Sequence, residues 1–181
     1  MNITLTRSLL VILLPGAMAL SPWIVLLLIT HPDYIPIYKE YKYELLGIGA
    51  GLSVLFGMIF EGISSYVEVR WDDTIGCTYK VEENWHKYLA ASYENEPVAY
   101  RYISTKVTTM YFEFAMMWVA ASSAFGWAWV VCSFKPLHFE AWAWACVIVG
   151  LSMSWYFKYM AKSSHELLCI IRLKVNMINN K

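Results

Sequence analysis

Four ionisable side chains stand where an apolar sequence leaves least room for them. Glu61 closes the run "LLGIGAGLSVLFGMIFEG", Glu113 sits in "TTMYFEFAMMW", and Lys158 and His165 fall within "YFKYMAKSSHE". A charge in an apolar segment costs roughly 2.5 to 3.5 kcal/mol on insertion scales, so such groups face a bundle interior and find partners there. Glu61, Glu113 and Lys158 together hold one carboxylate in excess. Three kinds of chemistry are open to that set: a polar clasp between helices, a site for a proton or cation, or contact with a ligand or partner. The clasp is the plainest, with Lys158 free to extend its stem toward the surface.

A second row continues from the first. Glu61, Ser65, Glu68 and Asp72 are spaced by four, three and four, which places them along one helix face. Glu68 and Asp72, with His165 from a later segment, are expected to form a polar face on the cytoplasmic side. Arg70 lies off the row, so partners are expected from elsewhere, such as Arg101 or Lys106.

Catalytic and metal patterns are weaker. "ENWH" gives Glu83 and His86 the E-x-x-H spacing of half a diiron carboxylate site, to which Glu61 and Glu113 could add single carboxylates. The last apolar segment then ought to supply a second E-x-x-H, and it offers Lys162 three before His165 instead. His165 and Glu166 are neighbours, hence about 100° apart on a helix and poorly placed as an acid and base pair. There is no H-E-x-x-H, G-x-S-x-G or P-loop. Cys77, Cys132, Cys146 and Cys169 are scattered with no C-x-x-C pair, and read as small packing groups instead of a disulfide framework or zinc site. No catalytic residue, cofactor or metal is expected.

The elements that must position these groups follow from composition. Of 181 residues, 59% are hydrophobic and only 15% charged, which is membrane-protein composition. Apolar runs at about 8–30, 45–67, 107–131 and 139–161 are each long enough for roughly 30 Å of hydrocarbon. Without barrel-type alternation the chain must cross as helices, because lipid offers backbone groups no hydrogen bonds. The expected fold is therefore an all-α integral membrane protein, one polytopic domain over 1–181 with four transmembrane helices. A short helical connection at about 70–106, carrying the stripe Val81, Trp85, Tyr88, Leu89 and Tyr93, joins helices two and three, and a tail runs over about 162–181. The first run includes a triplet, Ala17-Met18-Ala19, that resembles a cleavage site, but continues to Thr30 and reads as an uncleaved span.

Charge sets the orientation. With the amino terminus inside, 11 of 14 lysines and arginines fall in inner segments, leaving Lys39, Lys42 and Lys135 outside. Both termini are then cytoplasmic, in a bacterial-type inner membrane. Pro15, Gly16 and Pro22 would kink the first span, and the carbonyls they free need other donors. Gly47 and Gly51 form a G-x-x-x-G pair that Ser53 and Gly57 extend, a face that admits a close helix neighbour from the same chain or another copy.

With so little aqueous mass, the chain reads as a non-enzymatic anchor, sensor or signal-relay subunit. It would assemble with copies of itself or with a cytoplasmic protein, in settings such as stress, envelope function or phage defence. An oligomeric channel or proton path through Glu61 and Glu113 is the alternative, and a membrane metalloenzyme a third reading. Basic patches interleaved with aromatics are lacking, so nucleic acid is not an expected partner.

Overall fold

The computed structural model describes residues 9–79 and 98–179, with side chains described for 9–73 and 102–171. Within them the protein has five α-helices and no strand: α1 (Leu14–Thr30), α2 (Tyr34–Glu40), α3 (Lys42–Tyr79), α4 (Val98–Phe134) and α5 (Phe139–Asn179). Most of the connection between α3 and α4, including the stripe from Val81 to Tyr93 and the Glu83, His86 pair, lies outside the described residues.

Among the described residues, three segments are long and apolar enough to cross a membrane: Leu9–Thr30, Lys42–Asp73 and Tyr102–Phe134. The expectation of four such segments is met only in part. α5 is the longest helix, but Trp142, Trp144, Ser152, Ser154, Trp155, Tyr156 and Lys158 dilute its apolar half. The helices also run past the expected boundaries, since backbone hydrogen bonding continues where the apolar runs stop.

α4 is the centre of the bundle. It packs along α5 most extensively, and on α1 and α3 as well. A four-residue turn, Lys135 to His138, folds α5 back beside it, with both end residues at positive φ. One core cluster joins Ile103, Met110, Phe114 and Met117 of α4 to Ala161 and Leu168 of α5, with Val67 and Trp71 of α3 against them. A smaller cluster joins Ala19 of α1 to Met116 and Val119.

Small residues bring backbones together. A Cβ added to Gly57 would collide with the backbone of Ile12, and one added to Gly16 with the backbone of Ser53 and Gly57. At Gly126 it would lie 2.7 Å from the Pro22 ring, and at Gly150 it would overlap Ala124. Gly47 and Gly51, by contrast, have no such neighbour and face open space. The close α1–α3 crossing thus uses the Ser53, Gly57 part of the small-residue row.

The prolines of α1 explain two local features. A ring at Pro15 crowds the carbonyl four residues back, at Val11, and there the chain widens into a π-helical turn, Leu9–Leu13. Pro22 leaves the Met18 carbonyl without its helical donor. Two hydroxyls replace it: Ser21 donates at 2.9 Å and Ser123, from α4, at 3.2 Å. The same device recurs between α5 and α4, where Ser154 donates to the Met117 carbonyl at 2.8 Å.

Candidate functional site

Polar side chains from α3, α4 and α5 collect at one end of the bundle, beside the larger core cluster. On α3, residues 57, 60, 64, 67 and 71 turn inward at helical spacing, and the row Glu61, Ser65, Glu68 and Asp72 flanks them, half-buried. On α5, Phe157, Ala161, His165 and Leu168 repeat at four, four and three, giving that helix an inward stripe. His165 is on the stripe because the apolar spacing puts it there.

His165 is 2% exposed and its Nε2 lies 2.8 Å from Asp72 Oδ1. The Trp71 ring meets the imidazole edge to face, with centroids 5.9 Å apart, and stacks against Phe114 on its other side. Cys169, one turn beyond His165, is also buried. Donor atoms of Asp72, His165 and Cys169 lie within 4.8 Å of one another. The second imidazole nitrogen, Nδ1, is buried without a hydrogen-bond partner.

Beside this trio, the Tyr111 hydroxyl donates to Glu68 Oε2 at 2.5 Å, tying α4 to α3. Glu113 is buried on α4, accepts a hydrogen bond from Ser164 of α5, and has Lys106, two turns earlier on its own helix, as the nearby opposite charge. Its Oε2 has no hydrogen-bond partner.

The residues singled out in the sequence are therefore distributed unevenly. Asp72 and His165 meet directly. Glu68 is partnered by Tyr111 and Asp72 by His165; the side chain of Arg101, one of the cations expected for them, lies outside the described residues. Lys158 does not join the glutamates. It is exposed, with its amine 5.4 Å from the Trp155 ring centroid. The reason is angular: Phe157 and Ala161 point inward, and one residue along a helix turns a side chain about 100° away. Glu61 is half-buried and engaged on α3. Glu166, adjacent to His165, turns outward toward Lys162, 4.0 Å away.

Sequence reasoning missed Cys169 and Tyr111. The one-turn spacing of His165 and Cys169 was a usable signal. Tyr111 carried none, since a tyrosine two positions before Glu113 has no special spacing with Glu68. Searches against protein-family models, curated proteins and solved structures give no match, so the site is read from its own geometry.

Proposed function

We propose that this chain is a non-enzymatic, four-helix subunit of a cytoplasmic membrane, an anchor or signal-relay protein that works by assembling with copies of itself or a cytoplasmic partner. The observation that carries the reading is where the polar groups point. Asp72 with His165, Glu68 with Tyr111, and Glu113 with Ser164 all pair between helices of one chain. That is the work of a clasp holding three helices in register. The outer faces carry exposed apolar side chains, among them Leu46, Leu55, Ile59, Ile148, Val149 and Leu151, as a lipid-facing surface requires.

α5 is the fourth span in this reading. The tight Lys135–His138 turn and the long α4–α5 packing make it antiparallel to a helix able to cross. Both termini are then cytoplasmic, as the distribution of lysine and arginine favours.

One observation favours an ion or proton path instead, namely the buried, unpartnered Oε2 of Glu113. A single pair of experiments separates the two. Purification in mild detergent followed by native mass spectrometry is expected to give a stoichiometric assembly. Reconstituted vesicles are expected to pass no proton or cation current, with Glu113→Gln altering thermal stability alone. A flux that Glu113→Gln abolishes would replace the relay reading with the path.

A further inference from the structure

The geometry points to a metal site, for a borderline-soft divalent ion of the zinc class, held by His165, Cys169 and Asp72. His165 and Cys169 are one turn apart on α5 and so share a face. Asp72 reaches them from α3. An imidazole nitrogen, a thiol sulfur and a carboxylate oxygen are the mixed N, S and O donors that zinc accepts. Tetrahedral zinc, at about 2.0–2.2 Å from nitrogen or oxygen and about 2.3 Å from sulfur, holds its ligand atoms roughly 3 to 4 Å apart. The three donors here lie within 4.8 Å of one another, so small side-chain shifts bring them to ligand distance of one ion.

The second, independent observation is the ring itself. His165 is buried, and its one polar contact, at Nε2, is to a member of the donor cluster, while Nδ1 is unpartnered. Nε2 and Asp72 Oδ1, 2.8 Å apart, are close enough to be two ligand atoms of one ion, and Nδ1 then carries the ring proton. As a direct ligand, Asp72 sets its negative charge next to the ion. Binding replaces the Cys169 thiol proton, which leaves to solvent, so that the thiolate is the ligand.

Thiol catalysis by the same residues fits less well. Cys169 is 3% exposed and Trp71 covers the imidazole, which leaves a substrate no approach, whereas a single ion needs only a narrow one. The site does not depend on the relay reading. It would clip α3 to α5, two helices that otherwise touch over a short stretch.

The test uses the whole chain in mild detergent, stripped by chelator and titrated with cobalt(II). One equivalent is expected to give a thiolate-to-cobalt charge-transfer band that zinc then bleaches. The band is expected to persist in Cys77→Ser/Cys132→Ser/Cys146→Ser, whose only thiol is Cys169, and to vanish in Cys169→Ser. Zinc-edge X-ray absorption of the wild-type chain is expected to show one sulfur at about 2.3 Å with nitrogen or oxygen neighbours. A folded triple variant without the band, a band that survives Cys169→Ser, or a zinc shell of nitrogen and oxygen alone would each overturn the assignment.

Discussion

Removing the carboxylate at position 72 strands a buried imidazole. His165 already has one unpartnered nitrogen, so Asp72→Ala leaves the ring with none of its polar atoms satisfied. The cost of an orphaned buried group is about 1–3 kcal/mol. Asp72→Asn keeps an acceptor oxygen and is expected to lose less than half as much, with both differences read from thermal unfolding in detergent. Equal losses would mean that charge, not hydrogen bonding, holds the pair. At this scale the sequence was informative about which residues are polar within one helix, and poor at naming their partners. Spacing along α3 put Glu68 and Asp72 on a common row, but nothing along the chain measures the gap to Tyr111 or His165. Lys158 illustrates the limit: its place in an apolar segment grouped it with Glu61 and Glu113, while its rotation about the α5 axis pointed it at Trp155.

Glycine positions separate the helix pairs that need close approach from those that do not. Gly57 meets the backbone of Ile12, which cannot move aside as a flexible side chain could. Gly57→Ala is therefore expected to destabilise the α1–α3 pair by about 1–3 kcal/mol, the usual range for overpacking. Gly47→Ala adds a methyl to open space and is expected to leave the folded chain's melting temperature unchanged or slightly higher, as better helix propensity predicts. If copies of the chain associate through the Gly47, Gly51 face, that substitution would lower the assembly's mass without lowering the melting temperature. The small-residue rhythm was legible in the sequence, but which members of it are occupied was not, because both halves have the same spacing. The demand for a donor at the carbonyl freed by Pro22 was legible too. Its answer, Ser123, comes from a helix more than a hundred residues later.

Across the whole molecule, composition pointed to segments able to cross a membrane, and three such helices are present among the described residues; the helical fold followed from the backbone's need for internal hydrogen bonds. The number of crossings was less legible, because tryptophan, tyrosine and serine on α5 serve membrane boundaries and helix contacts equally well. Single cysteines placed at Lys39 and Lys135 in an otherwise cysteine-free chain test the proposed arrangement. Both are expected to react with an impermeant maleimide from the outer side of intact cells, and a cysteine at Lys162 only after permeabilisation. Reaction of positions 135 and 162 from the same side would reduce the crossings to three.

α3, α4 and α5 have 38, 37 and 41 residues, which at 1.5 Å each is about 55 to 60 Å, close to twice the hydrocarbon thickness. No proline interrupts any of the three. The first helix is different, jointed by its wide opening turn and by Pro22. The molecule thus sets three helices with unbroken hydrogen-bond ladders beside one whose ladder is interrupted at Pro15 and Pro22, the two places where a bend costs least.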